Sequence, residues 1–191
     1  MLSKKVIVIT DGDEYARKAI DYLAGEVGGT SLAQYSANPT TASSEEIIKA
    51  VNRAKEEPVY VLLDDAGIQG VGPGERVLLD LAKESSITII GAIAVASHTR
   101  YREWSRFTFA IDRKGEIVAQ GVDKEGEREM EIGRISGDTV YSLDELDIPT
   151  VVAIGDIGKM YGQDDLKKGV PITRKAIELI LERADENEER E

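Results

Sequence analysis

The chain reads as one α/β domain of three layers, a mostly parallel sheet between two helical layers, with a small antiparallel β insertion at about residues 105–135. Three observations predict this. Aliphatic runs at 6–9, 59–63, 87–95 and 150–154 are too uniformly apolar for strands with one wet face, so they read as strands buried on both sides. Segments of helical period separate the first three of them with short joins, the grammar of right-handed parallel crossovers. From residue 105 the pattern changes to apolar–polar alternation punctuated by turn residues. The 191 residues suffice for a single domain over 1–185, leaving a short acidic tail, 186–191, expected to be disordered.

In chain order, Val6-Ile7-Val8-Ile9 forms the first strand, and Asp11-Gly12-Asp13-Glu14 follows it at once. Asp11 and Glu14 have capping-box spacing, and acids suit a helix N-terminus. Ala16, Ala19, Ile20, Leu23 and Val27 recur at helical spacing until Gly28-Gly29. A weaker strand is expected over 30–35, carrying Ser31 and Gln34, and Asn38-Pro39 marks a loop. Ser43 and Glu46 make a capping box for a helix whose apolar face is Ile47, Ala50, Val51 and Ala54. Pro58 opens the strand 59–63, which ends in Asp64-Asp65. A loop with four glycines, 66–75, then feeds a helix carrying Val77, Leu78 and Leu81.

After the strand 87–95, Phe107, Phe109 and Ile111 alternate with Thr108 and Ala110. Asp112-Arg113-Lys114-Gly115 and Asp123-Lys124-Glu125-Gly126 are hairpin turns, so this insertion either extends the sheet or projects from it. A short helix at 143–146 precedes the last buried strand, 150–154, which runs into Gly155-Asp156-Ile157-Gly158-Lys159. Pro171 suits the first turn of a final helix with Thr173, Ala176, Ile177, Ile180 and Leu181 on its core face.

Composition excludes several function classes. A net charge of -12 argues against a nucleic-acid backbone or an anionic bilayer as partner, since both need clustered Lys and Arg. With no cysteine there is no disulfide, thiolate catalysis or thiolate zinc site, and one histidine, His98, rules out sites needing two imidazoles. No apolar run has the length of a signal core or membrane span, so a soluble, cytosolic protein is expected.

Three buried strands end in acids: Asp11 and Asp13, Asp64 and Asp65, and Asp156. A parallel sheet puts those ends on one edge, where open α/β sheets gather ligands. Converging carboxylates need a cation or protons to relieve their repulsion, so these five are candidate ligands for calcium or magnesium. The competing reading is that each acid caps its own helix. The glycine loop, with Gly72 and Gly74 beside a helix N-terminus, is a candidate anion cradle, although no P-loop lysine follows and Glu75 would repel phosphate. Ser97, His98, Arg100 and Arg102 follow the fourth strand and face the same edge, where the arginines suit acids or a carboxylate ligand. Ser97 and His98 are neighbours in sequence, an arrangement that rarely makes a catalytic pair, and no catalytic residue is assigned.

The architecture is Rossmann-like, and its acids after the first and third strands are similar to the Toprim topology of primases and topoisomerases. It departs from that motif in having Asp11-Gly12-Asp13 in place of a glutamate and Asp64-Asp65 in place of Asp-x-Asp. A closer resemblance rests on longer blocks: Thr10-Asp11-Gly12-Asp13-Glu14-Tyr15-Ala16, Gly70-Val71-Gly72-Pro73-Gly74-Glu75, Gly137-Asp138-Thr139-Val140-Tyr141, and Ile154-Gly155-Asp156-Ile157-Gly158-Lys159-Met160. Together with the stretch between the last two, they resemble the soluble stage V sporulation AE proteins of spore-forming Firmicutes over nearly the whole chain. That resemblance implies work with the membrane assembly that moves dipicolinic acid, as its calcium chelate, into the forespore and out at germination. It implies a chain without membrane spans, held against the spore inner membrane by the channel subunits, with calcium dipicolinate as a candidate ligand. The resemblance carries no catalytic residues. A divalent-metal enzyme acting on a small phosphorylated or carboxylated substrate is the alternative, and a homo-oligomer stays open.

Overall fold

The computed structural model describes residues 3–68, 70–97, 104–137 and 139–190. The first half alternates strand and helix: β1 (Lys4–Ile9), α1 (Glu14–Val27), β2 (Thr30–Ser31), α2 (Ser44–Arg53), β3 (Val59–Leu62), α3 (Pro73–Lys83) and β4 (Ile87–Val95). Six short strands follow it: β5 (Trp104–Arg106), β6 (Phe109–Ile111), β7 (Ile117–Val118), β8 (Gln120–Val122), β9 (Arg128–Ile132) and β10 (Arg134–Ser136). The chain ends with β11 (Val151–Ile154) and α4 (Pro171–Glu188).

The main sheet has seven strands in the order β2-β3-β1-β4-β11-β6-β7. Every pair is parallel except β6 with β7. Strand period 2 sorts β1 between two cores. Ile7 and Ile9 pack with Ile20 and Leu23 of α1 and with Ile177 and Ile180 of α4. Val6 and Val8 pack on the opposite face with Ile47 and Val51 of α2 and with Leu78 and Leu81 of α3. These side chains are essentially inaccessible to solvent, and each contributes about 1.5–3 kcal/mol of burial. Gly91 lets α4 sit down on β4, because a Cβ there would overlap the Ile180 side chain.

The insertion takes both routes open to it. β6 and β7, joined through Gly115, extend the main sheet beyond β11. β8 with β9 and β5 with β10 form two separate antiparallel pairs. Three boundaries differ from expectation. The strand expected over 30–35 pairs only at Thr30 and Ser31, then tightens into a 3₁₀ turn, Ala33–Tyr35, that buries Leu32 and Ala33. The helix expected at 143–146 is a 3₁₀ helix, Tyr141–Glu145. α4 runs through Glu188, so the tail expected to be disordered from 186 begins as helix, and Glu188 reaches Lys5 at 2.5 Å. Among the described residues, no helix is long and apolar enough to cross a membrane.

Candidate functional site

The carboxyl ends of β1, β3 and β11 do lie on one edge, and their acids divide into two groups. At the end of β1, the Thr10 hydroxyl accepts the Val95 N–H at 2.9 Å, tying β1 to β4 before the chain turns. Asp11 is only 8% exposed, and its Oδ1 accepts the Asp13 N–H at 3.1 Å. Burial pushes its carboxyl up to about 8, with the charges of Asp13, Asp64 and Asp156 adding to the effect and the Asp13 amide opposing it. Asp11 is therefore protonated at neutral pH.

Asp13, rather than Asp11, caps α1. Its Oδ1 accepts the Ala16 N–H at 2.9 Å, while its Oδ2 accepts from Lys159 Nζ at 2.6 Å. Lys159 lies 3.5 Å from Asp156 Oδ2 and 5.1 Å from the centre of the Tyr15 ring. Burial alone would lower the Lys159 ammonium, but its hydrogen bond to Asp13 and the charges of Asp156, Asp13 and Asp11 outweigh it, and the ammonium is held above its usual range. Burial raises the Asp156 carboxyl despite the Lys159 charge that opposes it. Lys159 is thus the cation of this cluster, a part sequence reasoning did not give it.

The β3 acids are engaged differently. Asp64 accepts the Gly12 N–H at 3.0 Å and the Ala66 N–H at 2.7 Å, linking the loops after β1 and β3. Gly12 has to be glycine for that approach, since a Cβ would stand 2.5 Å from the Ala37 carbonyl oxygen and 2.8 Å from Asp64 Cβ. Asp65 is fully buried and caps α3 from a distance, accepting the Gly74 N–H at 2.6 Å and the Glu75 N–H at 3.2 Å. The α3 amides offered to an anion thus already hold a carboxylate of the chain itself. Gly72 and Gly74 are packing residues here: a Cβ at Gly72 would overlap Asp65 Oδ1, and one at Gly74 would stand 2.8 Å from the Asp64 nitrogen.

A second remote cap escaped the sequence reasoning. Asp164, fully buried, accepts the Ile172 and Thr173 N–H groups at 2.8 and 3.0 Å at the start of α4, and the Gly158 N–H at 3.1 Å. Burial keeps its carboxyl above the usual range although these bonds pull it down. Non-glycine residues in the left-handed region flank both acid groups, Ala66 (φ 51°) after β3 and Met160 and Tyr161 (φ 50° and 53°) after Lys159.

Ser97 lies two residues past β4, with its N–H on the Ser136 carbonyl at 3.2 Å. His98, Arg100 and Arg102, the other candidates from that segment, lie outside the described residues. Among the described residues, no group of three or more His, Cys, Asp or Glu side chains is arranged to hold a metal ion.

The model of the SpoVAE family, stage V sporulation protein AE1, matches residues 5–184. The chain belongs to this family. Its role is accordingly sporulation-related, and the matched span takes in every acid of the edge, Lys159 and both remote caps. No curated protein and no solved structure matches the chain.

Proposed function

We propose that this SpoVAE-family chain is an accessory component of the spore assembly that moves dipicolinic acid as its calcium chelate. It acts by docking on the membrane subunits and is peripheral to the spore inner membrane through them. The observation that carries this reading is the family match over residues 5–184. How the edge acids are employed favours docking over turnover: Asp64 and Asp65 are spent on backbone amides, and Asp13 on a helix cap and an ammonium. Affinity purification of the tagged full chain from detergent-solubilised sporulating cells tests it. Recovery of the dipicolinate channel subunits is expected; recovery of the bait alone refutes docking.

The ligand part of the proposal concerns Asp11, Asp13 and Asp156, the carboxyls grouped around Lys159. A divalent cation there would have to displace the Lys159 ammonium, so calcium, magnesium or calcium dipicolinate would bind this site with low affinity. Isothermal titration with each of the three checks this. Saturable heat that Asp156→Asn abolishes assigns the ligand to this edge, whereas no heat leaves a docking module. Metal-dependent hydrolysis lost in the same variant would favour the enzyme alternative.

A further inference from the structure

We infer that the bulged strand β9 and the groove beside it are a docking surface for an extended partner segment that alternates basic and apolar side chains. The inference deepens the docking reading above and rests on it for the existence of a partner. All five β9 residues are exposed, with Met130 at 99% and Ile132 at 72%. Such exposure of a methionine and an isoleucine on one short strand marks a contact surface rather than a solvated one.

The strand is also irregular. β8 pairs with it at Gln120–Ile132 and Val122–Arg128, so Gly121 alone faces the three residues 129–131. A bulge of this kind re-aims side chains and terminates pairing, here on a closely packed base. Gly121 presses against β10 so closely that a Cβ would overlap the Arg134 carbonyl oxygen. The bulge opens onto a groove of about 430 Å³ lined by Trp104, Glu129, Met130, Glu131, Arg134 and Ser136. On its floor the Arg134 guanidinium stacks 4.0 Å from the centre of the Trp104 ring.

Charge identifies the occupant. Among the described residues, Glu129 and Glu131 have no ion-pair or hydrogen-bond partner, whereas the nearby Glu116 and Glu127 are held by Arg128 and Arg113. A second copy brought against this surface would carry a like net charge of -12 with it. An anionic bilayer is repelled for the same reason. A segment with lysines or arginines for the two glutamates and leucine-like residues for Met130 and Ile132 satisfies both halves of the surface, and it can pair along the strand edge.

Trp104 is the chain's only tryptophan, so its emission reports on the groove directly. The probe is a blocked seven-residue peptide alternating lysine and leucine, titrated into the full chain, with a glutamate–leucine peptide as control. A saturable change in Trp104 emission with the lysine peptide alone is expected, weakened about tenfold or more in Glu129→Lys/Glu131→Lys and in Met130→Asp. All three positions are exposed, so the fold tolerates these changes. No saturable change, or equal affinity in the variants, overturns the inference. Dimerisation at micromolar concentration that Met130→Asp abolishes also overturns it, by giving the surface to a second copy. Peptide binding without recovery of channel subunits would instead fault the docking reading, and subunit recovery unaffected by Met130→Asp would fault this surface alone.

Discussion

The two acid groups of the sheet edge solve the same physical problem in opposite ways. At the end of β3, Asp65 lies in the dry interior and receives two helix amides, Gly74 and Glu75, so its charge is met by the positive end of α3. At the ends of β1 and β11, Asp11, Asp13 and Asp156 share one ammonium, and Asp11 keeps its proton up to about pH 8. The first group is a closed structural joint. The second holds unspent electrostatic strain, which a proton, a cation or a change at Lys159 can release. Acids of one type on one edge therefore carry different work, decided by whether amides or other acids face them.

Removing the closed joint should cost most. Asp65→Ala strands the buried Gly74 and Glu75 amides and empties the space against Gly72, and a loss of about 3 kcal/mol is expected in denaturant unfolding. The open group should respond with the opposite sign. Asp11 titrates near 3.8 when unfolded and about 8 when folded, so across that window the unfolded chain releases a proton that the folded one keeps. Its contribution to stability is full below the lower value and declines as pH rises through the window. Asp11→Asn keeps an oxygen for the Asp13 amide and abolishes that slope. The variant should match the parent near pH 4 and exceed it at pH 7 by roughly 2–4 kcal/mol, read from paired denaturant titrations.

Much of this division was hidden from the sequence for definable reasons. The buried strands were legible because runs such as Val6 to Ile9 have no polar face, and the hairpins because Gly115 and Gly126 supply the positive φ their turns need. The pairing of β5 with β10 was not, since nothing local in Trp104 or Ser136 announces a partner across the insertion. Convergence of the acids followed from parallel topology alone. Their separate employment did not, because a remote cap has no fixed spacing: Asp65 reaches Gly74, Asp164 reaches Ile172, and Lys159 meets Asp13 across 146 residues. The nearest sequence signals were two helices opening on Pro73 and Pro171 with no capping side chain at Gly72 or Val170, a vacancy that some distant acceptor had to fill.

Lys159→Met isolates the cation. Without it, Asp13 and Asp156 face each other and Asp11 with only the weaker effect of the Lys124 charge on Asp156 against them, so the Asp156 carboxyl should titrate still higher by NMR. Because Lys159 and its partners are partly exposed, the stability cost at pH 8 should be modest, about 1 kcal/mol, and should shrink as falling pH protonates the raised Asp156 carboxyl.

The smallest effect separates burial from charge within the open group. Asparagine caps a helix about as well as aspartate, so Asp13→Asn should keep the Ala16 bond, and relief of the repulsion with Asp11 should offset the lost, partly exposed Lys159 pair, for a net change in stability of no more than about 0.5 kcal/mol. It nevertheless removes the negative charge that acts most strongly on Asp11. If burial is the larger cause, as the enclosure of Asp11 indicates, its titration midpoint should move down yet stay well above the ordinary carboxylate range. A midpoint that falls all the way to that range would make Asp13, and not the dry surroundings, the source of the proton's retention. The open group would then be a simple pair of repelling acids, and its contrast with the amide-held Asp65 would rest on charge alone.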